Sequence, residues 1–271
     1  VNGASREALS AARESLDALT DNTSADAAKL AGELAAVTAL LDREVSLRRV
    51  LTDPAQSGDA KAELAGRLLN GQVGGETVDL VSGAVRSRWS RSRDLVDALE
   101  ELANTADLTA AQRADVLDDV ENELFRFGRI VDANPQLRSA LTDKSATSAA
   151  RAELVRSLLE GRANPATERL VGRLVSAPRG RSLEQGIDSL SKLAAARRDR
   201  MVAVVTSAVP LSDAQKQRLG TGLARLYGRE MHLNLEVDPT VIGGISVRVG
   251  DEVINGTIAD RLDEAKRRLA G

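Results

Sequence analysis

Apolar residues recur at helical spacing through most of the chain. From Ser5 onward Leu9, Ala12, Leu16 and Leu19 fall three or four positions apart, and Ser24 offers an N-cap for a second run with Leu30, Leu34, Val37 and Leu41 on one face. After Leu47, Val50 and Leu51 the stretch Thr52-Asp53-Pro54 interrupts the pattern. A helix is predicted from about Ser57 to Leu69, the loop Asn70 to Gly75 follows, and a further helix runs from about Glu76 to Trp89. A last one carries Leu95, Leu99 and Leu102, which makes six helical segments and a compact bundle over residues 1–105.

The next stretch, 106–196, repeats the first. Leu47 to Gly71 set against Leu137 to Gly161, an ungapped offset of 90, gives 12 identities in 25 positions, among them Thr52/Thr142, Asp53/Asp143, Glu63/Glu153 and Leu68-Leu69/Leu158-Leu159. The match continues through Thr77/Thr167, Leu80-Val81/Leu170-Val171 and Val85/Val175, then slips by one residue to Leu102-Ala103/Leu193-Ala194. A duplication of this kind predicts the same packing twice. The second copy must borrow its leading helix from residues near Leu99 to Ala106, at the end of the first.

Beyond residue 197 the period changes from helical to alternating. Met201 to Ser207 is rich in β-branched residues, Met231 to Val237 alternates, and Ile245, Val247 and Val249 alternate with Ser246 and Arg248. Gly250-Asp251 is a hairpin signal before Val253-Ile254, and Gly243-Gly244 allows the turn out of Asp238-Pro239. Ser212 caps a helix with Leu219, Leu223 and Leu226, and Ile258, Leu262, Ala265 and Leu269 predict a closing helix. The fold class is therefore mainly α, with two tandem bundles and a small α+β domain at 197–271 of order β-α-β-β-β-α.

Composition narrows the chemistry. Aromatic residues are 1% of the 271, so cores must be built from Leu, Val and Ala, which suits close helix packing. With no cysteine and one histidine, disulfides and thiolate or imidazole metal clusters are excluded by inventory. The net charge of -3 gives no electrostatic reason to expect nucleic acid or an anionic membrane as the main partner. No apolar run reaches the ~18 residues of a membrane span, so no direct membrane insertion is expected, and the charged N-terminus does not read as a signal peptide.

Three clusters invite a chemical reading. Arg86-Ser87-Arg88-Trp89-Ser90-Arg91-Ser92-Arg93 could grip phosphates and stack a base, the basis of an alternative function as a helical nucleic-acid-binding module. Against that, Trp89 can simply anchor a helix end while the arginines complement its dipole. Gly71 to Gly75 and Gly243-Gly244 lack the Lys-Ser/Thr of a phosphate loop. His232, on an alternating strand with no second ligand in sequence, is read as solvent-facing, and Asp118, Asp119, Glu121 and Glu123 as a solvated helix face. Nothing requires an enzyme, a cofactor or a metal.

The run Val204-Val205-Thr206-Ser207-Ala208-Val209-Pro210-Leu211-Ser212, then Val237-Asp238-Pro239, Ile242-Gly243-Gly244-Ile245, Gly250-Asp251 and Ile254-Asn255-Gly256 closely resembles the delta subunit of F-type ATP synthases, the bacterial counterpart of the oligomycin-sensitivity-conferring protein. Asp238, Pro239, Gly243, Gly244, Gly250 and Gly256 are its structural signature here, with Asn255 where aspartate is expected. The usual member has one bundle, so the chain resembles the extended form of some high-GC Gram-positive bacteria, with a second bundle inserted before the C-terminal domain. The resemblance implies a peripheral stator linker at the cytoplasmic face of the bacterial membrane, present as one copy in a hetero-oligomeric complex. Its implied partners are the N-terminal helices of alpha subunits and the b-type stalk subunits. The wide apolar surface of the helix ending at Trp89 places the alpha-type groove in the first bundle, lined by Leu9, Ala12, Leu16, Val78, Val81, Val85 and Trp89, with the second bundle as spacer or brace.

Overall fold

The computed structural model describes residues 3–22, 25–198, 201–227, 231–238, 244–249 and 252–255. The chain divides into two compact units, Val1–Arg198 and Asp199–Gly271. The first is all helical: α1 (Gly3–Asn22), α2 (Ala27–Arg43), α3 (Val45–Leu51), α4 (Gly58–Leu69), α5 (Gly75–Arg86), α6 (Ser92–Arg113), α7 (Leu117–Ala133), α8 (Pro135–Thr142), α9 (Ser148–Leu159), α10 (Pro165–Ser176) and α11 (Leu183–Arg198). The bounds of α2, α4 and α5 recur 90 residues later in α7, α9 and α10.

Local chemistry sets these ends. The α2 cap is Asp26, whose Oδ1 accepts from Ala28 N and Lys29 N at 3.0 Å; Ser24 lies outside the described residues. Ser57 and Thr147 cap α4 and α9, each accepting the backbone N–H three residues on. Both helices run into a glycine, Gly71 and Gly161, held at φ +76° and +70°, where a side chain would be strained. Helix α5 stops at Arg86, before Trp89. The indole nonetheless folds back onto it, Nε1 donating to Ala84 O at 2.8 Å.

Two apolar cores lie in this unit. The first runs from Ala8 to Ala106 and takes residues from α1 to α6; the second runs from Leu108 to Ala194. Helix α6 serves both, with Leu95, Leu99 and Leu102 in the first core and Leu108 and Ala111 in the second. Of the stretch Leu99 to Ala106, expected to be borrowed by the second copy, Leu99, Leu102, Ala103 and Ala106 lie in the first core, while Glu100 and Asn104 meet Arg179, Arg181 and Arg173. The boundary expected at 105/106 falls inside this helix, which has no interior glycine or proline to break it. In the first bundle α2 packs on α6, α4 on α5, and α1 on α5 and α6; in the second, α7 packs on α11, α9 on α10, and α6 on α10 and α11.

The other unit has β1 (Met201–Ser207), α12 (Asp213–Tyr227), β2 (Met231–Val237), β3 (Ile245–Val249) and β4 (Glu252–Asn255). Sheet order is β2-β1-β3-β4, with β1 parallel to β2, antiparallel to β3, and β3 antiparallel to β4 through Val247↔Ile254 and Arg248↔Val253. Ser212 and Gln215 form a reciprocal capping box at the start of α12. Ala203, Val205, Val247, Val249 and Leu223 make its core, so the alternation in β3 does bury one face. The predicted closing helix and the Gly250-Asp251 turn lie outside the described residues.

Candidate partner interface

The seven residues expected to line a groove are brought together between α1, α5 and α6, and they are interior. Ala12, Leu16, Val78, Val81, Val85 and Trp89 are buried, and Leu9 alone is half exposed. In the bundle this set forms the floor beneath the α1–α5 seam rather than its outer surface. The physical reason is that the wide apolar surface of α5 is consumed inside the bundle, because α4, α1 and α2 all pack on it.

The seam is pinned at one end by a polar cluster. Ser5 Oγ donates to Asp94 Oδ2 at 2.8 Å and accepts from Ser90 N at 2.8 Å, and Arg91 lies 2.8 Å from Asp94 Oδ1. Burial would push the Asp94 carboxyl up, but the hydrogen bonds from Arg91 and Ser5 outweigh it and hold it below the usual carboxylate range. Outward from the seam α5 presents Asp79, exposed, and Gly83, beside which a Cβ would meet nothing within 4 Å.

The arginine cluster loses the feature that suggested nucleic acid. Trp89 is buried against Ala84, so its ring is not available to stack a base, and Arg86 and Arg91 are paired with Asp59 and Asp94. Of the acidic run on α7, Glu123 is not a solvated residue. Its carboxylate accepts from Asn164 N at 2.9 Å and Thr167 Oγ1 at 2.5 Å, binding the start of α10. Ninety residues earlier Glu33 does the same for α5 through Gly74 N at 3.0 Å and Thr77 Oγ1 at 2.5 Å. Glu33 escaped the sequence reading, although its spacing from Thr77 equals that of Glu123 from Thr167.

In the second unit Gly244 has φ +86°, left-handed backbone as a turn glycine requires, and Asp238 N donates to Ser207 O at 3.0 Å. Pro239, Gly243, Gly250 and Gly256 lie outside the described residues, as does the His232 side chain. Val209 and Val237, at least half exposed, stand at one end of the paired β1 and β2: Ser207 is in register with Val237, and its Oγ donates to Val209 O. Among the described residues no acidic or histidine cluster could hold a metal ion, and no helix is long and apolar enough to cross a membrane.

Buried helical cores, a small mixed sheet and charged groups engaged in capping and ion pairs define a mainly helical protein with an appended α+β unit. Comparison gives the particular kind. The profile of the ATP synthase delta (OSCP) subunit family matches residues 103–269, more than half of the chain. Proteins named ATP synthase subunit delta are 78% identical in Streptomyces griseus and 50% identical in Thermobifida fusca, each over 271 residues and covering all of both chains. A chain from the mitochondrial ATP synthase hexamer of Toxoplasma gondii aligns with 62% of this one and 95% of its own length, at 17% identity and a TM-score of 0.29, too low to bear on the fold. The chain belongs to the ATP synthase delta (OSCP) subunit family. The profile starts inside α6, so the match takes in α7 to α11 and the β-containing unit.

Proposed function

We propose that this chain is the stator linker of an F-type ATP synthase, joining the catalytic head to the peripheral stalk so that rotor torque does not spin the head. The observation that carries this reading is full-length kinship with proteins named ATP synthase subunit delta. The helical unit is a tandem duplication. Support comes from the recurrence at offset 90 of helix bounds, of the Ser57/Thr147 caps and of the Glu33/Glu123 ties.

The alpha N-terminal helix docks along the α1–α5 seam of the first bundle, above the floor of Leu9, Ala12, Leu16, Val78, Val81, Val85 and Trp89. The corresponding seam of the second bundle is already filled: Arg169 and Arg173 stand where α5 has Asp79 and Gly83, and both reach across to Asp107 on α6. The b-type stalk takes the β-containing unit, where Val209 and Val237 supply exposed apolar surface. Such assembly makes the protein a peripheral component of a membrane-bound complex.

Calorimetry of the full chain with a synthetic alpha N-terminal peptide tests the reading. Binding should be lost in Asp79→Arg with Gly83→Arg, which gives the first seam the side chains of the second without touching the core. Unchanged binding in that variant refutes the location, and no binding to the parent chain refutes the docking itself. Binding that instead falls steeply with salt for nucleic acid would favour the alternative module.

A further inference from the structure

The two copies differ in charge at several positions, and those differences meet at the junction between the bundles. Asp107 of α6 is fully buried and lies 2.7 Å from Arg169 Nε and 2.5 Å from Arg173 Nη2, both on α10. Arg173 Nε also donates to Asn104 Oδ1 at 3.0 Å. A turn further back on α6, buried Glu100 forms an ion pair with Arg179 Nη1 at 2.7 Å and accepts from Arg181 Nη2 at 2.5 Å, and Arg179 Nε donates to Asp42 on α2 at 3.0 Å. On another side Arg197 of α11 meets Asp17 of α1 at 3.3 Å and Gln112 at 2.6 Å. The arginines all belong to the second bundle. Asp42 and Asp17 belong to the first, and Glu100, Asn104, Asp107 and Gln112 to the shared helix.

At offset 90 the first bundle has Asp79, Gly83 and Trp89 in place of Arg169, Arg173 and Arg179. These cations are therefore not part of the bundle pattern itself. Arg179 is moreover held at φ +47°, a left-handed conformation unusual for a residue with a side chain, and that conformation accompanies a side chain turned in to both Asp42 and Glu100. A carboxylate that is fully buried needs such partners, and two planar guanidinium forks fix direction as well as distance.

We infer that the two bundles form one rigid strut, with α6 as its unbroken spine and Arg169, Arg173 and Arg179 as positioning residues that lock the second bundle at a fixed angle to the first. The duplication lengthens the linker without adding a hinge. This deepens the stator reading, since a member that resists torque must not bend at its joint, but the geometry stands whatever the partners are.

The chain has no cysteine, so paired spin labels can be placed at will on the full-length protein. Labels at Ser15→Cys and Asn122→Cys span the joint; labels at Ser15→Cys and Leu68→Cys stay within the first bundle as a folding control. All three positions are exposed. Pulsed dipolar spectroscopy should give a narrow distance distribution across the joint in the parent chain. In the triple variant Arg169→Met, Arg173→Met, Arg179→Met, and in the milder Asp107→Asn, it should widen at least twofold while the control pair stays narrow. A broad cross-joint distribution in the parent chain overturns the inference, and so does an equally narrow one in the variants. Neither result touches the partner assignment, which peptide calorimetry decides separately.

Discussion

Replacing Glu33 and Glu123 by alanine, one at a time, probes whether the two bundles are built alike. Each carboxylate accepts one backbone N–H and one buried threonine hydroxyl at the start of a helix. Thr77 and Thr167 are fully buried, so truncation strands a hydroxyl with no acceptor from the deleted side chain. A hydrogen bond to a charged group contributes about 1.5–3 kcal/mol. Glu33 is one-fifth exposed, so water recovers part of that, and the loss expected for Glu33→Ala is about 2–4 kcal/mol.

The two sites differ in one respect that the measurement can resolve. Helix α10 also has Asn164 as a side-chain cap, accepting from Ala166 N at 2.9 Å, whereas the α5 cap is Gly74 with no side chain to offer. Glu123→Ala leaves that second cap in place and should cost about 1 kcal/mol less than Glu33→Ala. For a unit of this size each kcal/mol lowers Tm by about 2–4 °C. Urea and thermal unfolding followed by circular dichroism at 222 nm gives the numbers, and Trp89, the only tryptophan, reports the first bundle by fluorescence. A loss below about 0.5 kcal/mol for Glu33→Ala would falsify the capping argument, because surface substitutions fall in that range. Glu123→Ala costing clearly more than Glu33→Ala would show that the two ties are not equivalent.

Other expectations follow from single sites. A Cβ at Gly186 of α11 would lie 2.1 Å from Leu174 Cδ1 in the second core, so Gly186→Ala should destabilise by about 1–3 kcal/mol despite better helix propensity, as read from a urea midpoint. Gly244→Val, at φ +86°, should lower the stability of the β-containing unit by about 1–3 kcal/mol while Trp89 fluorescence is unchanged. Asp94 has a depressed carboxyl, so its stabilisation is present above the unfolded value near 3.8 and lost as pH falls through the lower folded value. Asp94→Asn should therefore remove part of the acid sensitivity of Trp89 fluorescence, and an identical acid profile would refute the assignment.

Much of this fold is legible in the sequence because apolar spacing sets helices directly. Leu30, Leu34, Val37 and Leu41 name the buried face of α2, and the alternation of Val247, Arg248 and Val249 names that of β3. The partner surface was not legible. Val78, Val81 and Val85 form a stripe whether it meets a partner or another helix of the same bundle, and periodicity does not distinguish the two. The apolar pattern continues past Arg86 and so carries Trp89 with its helix, yet the backbone turns there and only the indole returns.

Charged residues carry even less of their structural role in local sequence. A glutamate or arginine on a helix is solvated by default, and neither Glu123 nor Arg179 carries a local mark that it turns inward. Side by side, the copies supply that mark in two opposite ways. Where an acid and its distant threonine are both retained, as Glu33 with Thr77 and Glu123 with Thr167, the pair serves packing that both bundles need. Where a buried or half-buried position changes sign or gains charge between copies, as Gly83 to Arg173 or Trp89 to Arg179, a core has no use for the change, since an unpaired guanidinium there would be costly. Such a residue needs an acid on another helix. For Arg173 it is Asp107 of the shared α6 and for Arg179 it is Asp42 of α2, so the positions that differ at offset 90 point to the joint between the bundles.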